Sequence, residues 1–300
     1  METSFYHKVV NKGKEKKIIE TLYKKLEKCD ICPHNCGVNR IKGEKGICNS
    51  GLKIKISSYF PHHGEEPPIS GIYGSGTIFF SSCNLKCIFC QNYELSAYET
   101  GSECSTEELS EIMNYLQKLK CHNVNLVTPT HFLPQIIEAI SIARHKGLTI
   151  PIVYNTSGYE KKETLEIIDG FIDIYMPDFK FFTDKVAQKY TNAHDYAKHA
   201  KVAILEMYRQ VGPLISDSMG IAQRGLLIRH LIMPGHTDES LKIIEFLAKN
   251  LPQKTYLNLM SQYRPEYLAN KYPEISRPIT DWEYNRVIQY AKKLGFFVND

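Results

Sequence analysis

Residues 77–92 read TIFFSSCNLKCIFCQN, a short apolar run that leads directly into three closely spaced cysteines. The β-branched and aromatic residues of 77–81 predict a buried β-strand. Cys83, Cys87 and Cys90 follow with the spacing C-x3-C-x2-C, so one loop after the strand carries three thiols. Clustered thiols in a reducing compartment indicate metal binding. The three thiols therefore predict a metal site on the loop that follows the strand.

The chain after residue 76 alternates between predicted strands and helices. Further strands are predicted at 123–127, 149–154, 171–176, 226–233 and 255–260, and helices at 106–119, 133–145, 161–168, 184–190, 195–210, 238–250 and 281–294. Six strands that alternate with helices indicate an α/β fold with a parallel sheet. The periodicity fits an open doubly wound sheet and a full or partial barrel equally well. In both, chemistry takes place at the carboxyl ends of the strands.

The number of cysteines in the loop has a chemical consequence. Each iron of a cuboidal four-iron cluster needs one external ligand, and an electron-carrying ferredoxin supplies four cysteines. Cys83, Cys87 and Cys90 supply only three, which leaves one iron open to a substrate or cofactor. The loop therefore predicts a [4Fe-4S] cluster with a free coordination position.

A second group of cysteines precedes this loop, at Cys29, Cys32, Cys36 and Cys48. Four thiolates can close a site around a zinc ion or a fully ligated iron–sulfur cluster. Only one C-x2-C pair is present, so the spacing does not decide between the two. We predict a second metal site here, and we assign no role to Cys104 and Cys121.

The composition is that of an ordinary globular protein. The 300 residues are 43% hydrophobic and 23% charged, with a net charge of +4. An intrinsically disordered chain would contain fewer apolar residues, and no run approaches the roughly 18–20 apolar residues of a membrane span. The amino terminus lacks a secretory signal, so we expect a cytoplasmic protein that does not bind membranes. Because the chain has no stripe of basic and aromatic residues, we do not expect it to bind nucleic acid.

The cysteine loop resembles the signature of the radical S-adenosylmethionine (SAM) superfamily. Within it, the chain is similar to the pyruvate formate-lyase-activating enzyme-like subgroup in the segments 63–68, 76–80, 90–92, 127–131, 175–180 and 229–231. The resemblance covers residues 29–265. It implies an α/β fold, a partial (βα)6 barrel of the radical SAM type, preceded by a small cysteine-rich metal-binding segment.

The resemblance also implies a reaction. The amino and carboxylate groups of SAM would chelate the open iron, and one electron would cleave SAM to a 5′-deoxyadenosyl radical. That radical would abstract hydrogen from a substrate, either a glycyl residue of a partner protein or a small molecule or RNA. A low-potential flavodoxin or ferredoxin would supply the electron. The alternative from another class is a non-catalytic iron–sulfur electron-transfer or regulatory metal-binding protein.

Candidate contacts to SAM lie in the cysteine loop and at the strand ends. The resemblance places Phe89 beside the adenine and matches Asp178 and Lys180 to an Asp-x-Lys of glycyl-radical activating enzymes, although the two could form a plain salt bridge. Arg229 lies among apolar residues and needs an anion, which the SAM carboxylate could supply. Where the superfamily often has Gly-Gly-Glu, this chain has Thr-Pro-Thr. The full set of candidates is Phe89, Asn92, Thr128, Thr130, Asn155, Ser157, Asp178, Lys180 and Arg229.

These observations divide the chain into four parts. We expect a basic amphipathic helix at 1–28, a cysteine-rich segment with a Pro/Gly loop at 29–74, the barrel at 75–260 and a helical extension at 261–300. The lysines of the first helix are a candidate docking surface for an acidic electron donor. We expect Glu65 and Glu66 in the Pro/Gly loop to form a solvated turn, and His62 and His63 to lie on the surface.

Overall fold

The computed structural model describes residues 12–298. Residues 1–11 of the predicted basic helix, and the last two residues of the predicted extension, lie outside the described residues. In the described chain the sheet strands are β1 (Ile54–His62), β2 (Ser75–Phe80), β3 (Ser102–Cys104), β4 (Val124–Val127), β5 (Ile152–Thr156), β6 (Ile174–Pro177), β7 (Ile215–Ser216), β8 (Ala222–Leu231) and β9 (Tyr256–Met260).

Helices cover the sheet and connect its strands. They are α1 (Lys12–Lys24), α2 (Pro67–Ser70), α3 (Tyr93–Ser96), α4 (Thr106–Lys118), α5 (Leu133–His145), α6 (Lys162–Ile167), α7 (Asp184–Tyr190), α8 (Tyr196–Val211), α9 (Thr237–Asn250) and α10 (Asp281–Lys293). The helix α4 begins with a capping box, in which Ser105 and Glu108 exchange side-chain to backbone hydrogen bonds.

Six strands form a parallel sheet in the order β2, β4, β5, β6, β8 and β9. The strand β1 is antiparallel to β2, and β3 is antiparallel to β1. No pairing joins β2 to β9 within residues 12–298, so the sheet stays open on one side. The fold is therefore the predicted α/β architecture with an open, mostly parallel sheet, a partial barrel.

Burial explains why these strands read as continuous apolar runs. Every residue of β5 and β6 is buried, and β4 has one partly exposed residue. Helices on the outer face and side chains on the inner face both exclude water, as expected for parallel sheets. No helix of the described residues is both long and apolar enough to span a membrane.

Two regions differ from the predicted elements for local reasons. The strand β8 begins at Ala222 rather than at 226, because its first residues pair with β7 in a short antiparallel hairpin. The Pro/Gly loop, predicted to be irregular, contains the end of β1 and the one-turn helix α2. Pro67 starts that helix, where the missing N–H of proline costs no hydrogen bond.

Candidate cofactor site and active site

The cysteine loop leaves the carboxyl end of β2 and is held by backbone hydrogen bonds. The Ile88 N–H donates to Tyr190 O at 3.0 Å, and the carbonyl of Leu85 accepts from Asn192 N at 3.0 Å. Ser82 and Lys86 adopt positive φ angles of 73° and 46°, which non-glycine residues rarely do. Backbone strain of this kind persists where the surrounding structure fixes it, often at functional sites.

The loop brings its three thiols to one cavity. Cys83 and Cys87 are buried and Cys90 is partly buried, and none forms a disulfide. The Leu85 N–H lies 3.3 Å from Cys83 Sγ, and Ser96 Oγ lies 3.2 Å from Cys90 Sγ, so donors already face two of the sulfurs.

Burial raises the pKa of Cys83 to about 11, and it raises the pKa of the Cys87 thiol above its ordinary range. Buried thiolates therefore need a nearby positive charge, which metal ions provide. The residues fit an iron–sulfur cluster, in which Cys83, Cys87 and Cys90 would be the protein ligands.

The cavity has a volume of about 380 Å³, within the ~300–1,000 Å³ range of small-molecule sites. It lies between the cysteine loop and the carboxyl ends of the parallel strands. The Ser157 hydroxyl oxygen is shielded from solvent and has no hydrogen-bond partner among the described residues, so it is available to a ligand. Eight of the nine predicted cofactor residues line the cavity: Phe89, Asn92, Thr128, Asn155, Ser157, Asp178, Lys180 and Arg229.

Asp178 and Lys180 form a partly buried ion pair on the cavity wall, with Lys180 Nζ 2.6 Å from Asp178 Oδ2. Burial lowers the pKa of Lys180, but the charges of Asp178 and Cys87 outweigh it, so the net shift is upward and Lys180 is cationic. The Tyr196 hydroxyl accepts from Lys180 N at 2.8 Å and lies 3.0 Å from Asp178 O. Gly158 has a φ of +79°, and a Cβ there would lie only 2.4 Å from Asp178 O, so the backbone beside this pair requires a glycine.

Arg229 satisfies its charge within the protein, which differs from the expected contact with a cofactor carboxylate. Its Nε donates to Asp178 Oδ1 at 2.9 Å, and its Nη2 donates to Asn155 Oδ1 at 2.7 Å. Its Nη1 lies 3.3 Å from Glu65 Oε2. The net effect of Arg229 and Lys180 on Asp178 is a lowered pKa, although burial alone would raise it. The anion that Arg229 requires is supplied by the chain itself.

The acidic pair of the Pro/Gly loop is not the solvated turn that we expected, since Glu66 is buried and Glu65 is partly buried. Glu65 lines the cavity with 9% of its side chain exposed, and Glu66 is buried beside it. His62, also expected on the surface, lines the cavity next to Glu65. The sequence indicated that Arg229 needs an anion. It did not indicate that one of its partners would be Glu65, which lies 164 residues earlier in the chain.

Thr130 is the predicted cofactor residue that the structure does not bring to the cavity. It is buried outside the cavity, and its hydroxyl donates to Glu160 Oε1 at 2.5 Å. The Thr156 hydroxyl donates to the same carboxylate, and Tyr154 OH lies 3.4 Å from its other oxygen. Burial raises the pKa of Glu160 to about 7. Glu160 therefore connects the ends of β4 and β5 behind the cavity wall.

The second cysteine group packs directly against the cysteine loop. The Ser82 hydroxyl donates to the carbonyl of Cys48, and His34 Nε2 lies 2.7 Å from Asn84 O. Arg40 is buried within the segment and donates to Gly51 O at 2.6 Å and to His131 O at 2.7 Å. Among residues 12–298, no three His, Cys, Asp or Glu side chains are arranged to hold a single metal ion.

Comparison with known proteins identifies the family. The profile of the radical SAM superfamily matches residues 77–247, more than half of the chain. The chain belongs to the radical SAM superfamily. This superfamily uses a [4Fe-4S] cluster and SAM, so the protein is a radical SAM enzyme, and the three cysteines in the cavity fit the cluster.

Two curated relatives come from Methanocaldococcus jannaschii. The uncharacterized protein MJ0674 is 33% identical over 281 residues, which cover 89% of this chain and 75% of the relative. The uncharacterized protein MJ0808 is 25% identical over 303 residues, covering 92% of this chain and 84% of the relative.

Two solved structures are similar at low identity. Streptococcus suis SuiB has a TM-score of 0.48 at 14% identity, and native anSMEcpe with bound AdoMet has a TM-score of 0.46 at 10% identity. The matches cover 73% and 71% of this chain. The chain spans about half the length of these proteins, 47% of the first and 57% of the second.

The buried carboxyl group of Glu160 predicts a pH dependence of stability. Because burial raises its folded-state pKa to about 7 from 4.5, the folded protein holds a proton that the unfolded chain releases between these values. The stabilisation of the folded protein by the protonated Glu160 carboxyl group is fully present below pH 4.5 and is lost as the pH rises through 7. Between pH 5 and pH 8 the free energy of unfolding should fall by about 2.5 kcal/mol more in wild type than in Glu160→Gln.

Urea unfolding under anaerobic conditions measures this difference. The matched control is Glu163→Gln, which removes an exposed carboxylate from α6 and should keep the pH profile of wild type. Parallel pH profiles for wild type and Glu160→Gln would contradict the assignment of the raised pKa to this group.

Proposed function

We propose that this radical SAM enzyme is an oxidoreductase of the pyruvate formate-lyase-activating enzyme-like type, which abstracts hydrogen from a glycyl residue of a partner protein. When bound, the cluster and SAM supply the 5′-deoxyadenosyl radical for this chemistry. The observation that carries the proposal is the position of Asp178 and Lys180, the Asp-x-Lys pair, on the wall of the cavity that also contains the three cysteines.

The cavity offers contacts suited to an amino acid nucleoside. Lys180 is a partly buried cation close enough to Cys87 for their charges to interact, so it can hold a carboxylate near the cluster ligands. Phe89 packs against Phe181 and Tyr263 at ring distances of 6.0 Å and 6.1 Å, which fixes its ring for contact with adenine. Thr128, Asn155 and Ser157 add polar groups at neighbouring strand ends.

The open side of the sheet supports a polypeptide substrate. The gap between β2 and β9 is spanned by loops, with Gln91 Nε2 donating to Gln262 O at 2.9 Å. Tyr93 stacks on Tyr267 at 5.4 Å, and Tyr98, with 63% of its surface exposed, packs against both rings. An extended loop of a partner protein could approach the cavity along this aromatic rim.

The electron donor would be a low-potential flavodoxin or ferredoxin. The exposed face of α1 carries Lys14, Lys16, Lys17 and Lys24. Opposite charges steer such encounters, and salt weakens them. We therefore propose this lysine face as the docking surface for the donor.

The test of the substrate is formation of a glycyl radical. Anaerobically reconstituted enzyme, dithionite and SAM are incubated with soluble protein extract of the native host, and the mixture is examined by electron paramagnetic resonance (EPR). We expect the doublet of a glycyl radical together with release of 5′-deoxyadenosine. The control lacks the cluster ligands, as Cys83→Ala, Cys87→Ala and Cys90→Ala combined, and should give neither signal.

Two other outcomes separate the alternatives. Release of 5′-deoxyadenosine without a protein radical would refute the glycyl substrate and leave a radical enzyme that acts on another molecule. Absence of 5′-deoxyadenosine from enzyme with a complete, reduced cluster would favour the non-catalytic iron–sulfur or regulatory protein instead.

We also propose a second metal site in the segment 29–50, formed by Cys29, Cys32, Cys36 and Cys48. Burial raises the pKa of Cys29 and of Cys32, and the charge of Cys48 raises both further, so these three thiols lie within electrostatic range of one another. A metal would neutralise thiolates that are otherwise costly to bury. Zinc and an auxiliary iron–sulfur cluster are the two candidate occupants; zinc would require the thiols to move together, because no three of them surround a single-ion position in the described residues.

Removing one ligand should release the second metal while leaving the cavity cluster in place. In Cys32→Ser we expect loss of one zinc, or of about four irons, per chain by metal analysis, and faster proteolysis within 29–50. The matched control is Cys121→Ser, a buried cysteine outside both groups. Metal content and protease resistance equal to wild type in Cys32→Ser would refute the second site.

A further inference from the structure

The cavity has a floor that the proposed binding of SAM does not use. Glu65 enters it from the connection between β1 and β2. Its Oε1 accepts from Asn125 Nδ2 at 3.0 Å, and its Oε2 lies 3.3 Å from Arg229 Nη1. Asn125 is the second residue of β4, two residues before the end of that strand. Since the cysteine loop lies beyond the strand ends, Glu65 faces it from inside the barrel.

The carboxylate of Glu65 is fixed but not saturated. A carboxylate has about four acceptor positions, and the side chains of Asn125 and Arg229 occupy two of them. With 9% of its side chain exposed, Glu65 has little contact with bulk water, yet it lines the cavity. Its remaining acceptor positions are therefore available to a group that enters the cavity.

Two neighbouring polar atoms also lack partners among the described residues. The Nδ1 of His62 lines the same cavity, is shielded from solvent and lies 3.8 Å from Glu65 Oε1, beyond hydrogen-bond distance. The Oδ1 of Asn125 is completely buried and accepts no hydrogen bond. A buried polar atom without a partner costs roughly 1–3 kcal/mol, so a polar ligand that reaches His62 Nδ1 in the cavity gains affinity; Asn125 does not line the cavity.

The charges around the floor select the kind of ligand. At the floor of the cavity the carboxylate of Glu65 shares the cation Arg229 with Asp178. Burial raises the pKa of Glu65, although the charge of Arg229 acts to lower it. An anionic group next to Glu65 would be repelled by its carboxylate, whereas N–H donors would be attracted to it.

We propose that Glu65 is a substrate-recognition residue, which accepts hydrogen bonds from N–H groups beside the carbon that loses hydrogen. The inference rests on the proposed function and refines it: on a protein substrate the donor is a backbone amide next to the glycyl residue. The same chemistry could be presented by the ammonium group of a small amine. Both are N–H donors without negative charge, and the experiment distinguishes them.

The experiment uses the reconstituted holoenzyme with dithionite, SAM and three glycine probes deuterated at Cα. The probes are N-acetylglycine N-methylamide, a neutral peptide; glycinamide, an ammonium; and N-acetylglycine, an anion. Mass spectrometry measures deuterium transferred into 5′-deoxyadenosine. We expect transfer from the neutral peptide above that from glycinamide, and none from the anion. A reversed order of the first two would assign the site to an amine substrate instead.

Variants test whether Glu65 makes the contact. Glu65→Gln and Glu65→Ala should each reduce deuterium transfer about tenfold or more, the loss expected for a hydrogen bond to a charged group. The matched control is Glu66→Gln, which removes the same charge beside Arg229 but from a side chain that bonds to Asn258 outside the cavity lining. Transfer in this control should stay within about threefold of wild type.

Measuring the affinity for SAM distinguishes a role of Glu65 in substrate recognition from a role in holding Arg229 in place. Equilibrium dialysis with labelled SAM should give dissociation constants for Glu65→Gln and wild type that agree within about twofold. Equal deuterium transfer in wild type and Glu65→Gln, transfer from the anion, or no transfer from any probe would overturn the inference. A glycyl radical formed on the partner protein equally well by Glu65→Gln would overturn it while leaving the proposed function intact.

Discussion

The guanidinium of Arg229, with 15% of its side chain exposed, links several elements at the centre of this structure. Arg229 on β8 bonds to Asp178 after β6, to Asn155 on β5 and to Glu65 from the connection below the barrel. Removing it would leave the carboxylate of Glu65 without its cation, whereas Asp178 would keep Lys180; breaking a buried ion pair costs about 3–5 kcal/mol in comparable cases. Arg229 has three carboxylate neighbours and Lys180 has one, so we propose Lys180 as the cation that meets a cofactor carboxylate. The contacts that stabilise the fold therefore also shape the cavity.

Much of the architecture could be predicted because it is encoded locally. Helices α4 and α5 and the run of six parallel strands follow from apolar periodicity and from signals such as the capping box at Ser105. The cysteine loop was recognisable because its three ligands are adjacent in sequence. The burial of Glu65 was not predictable, since Glu65 lies in a loop rich in proline and glycine. Its partner Arg229 is 164 residues away, and only the assembled sheet brings the two together.

The end of β4 shows how this chain differs from the common Gly-Gly-Glu pattern of the superfamily. Thr128 lines the cavity with a φ of +58°, whereas Thr130 turns away and binds Glu160. The acidic residue near this strand end is thus a buried structural carboxyl behind the wall. The carboxylates that face the cavity, Asp178 and Glu65, come from other elements. The cavity wall can therefore take its polar side chains from different elements while the strand order of the sheet stays the same.

We propose that SAM is bound jointly by the open iron of a cluster at Cys83, Cys87 and Cys90 and by the polar residues at the strand ends. Electron-nuclear double resonance of the reduced holoenzyme with SAM labelled with ¹⁵N at its amino group tests this most directly. We expect a ¹⁵N hyperfine coupling to the cluster that is absent with unlabelled SAM. Lack of any such coupling, with a cluster spectrum that saturating SAM leaves unchanged, would contradict it.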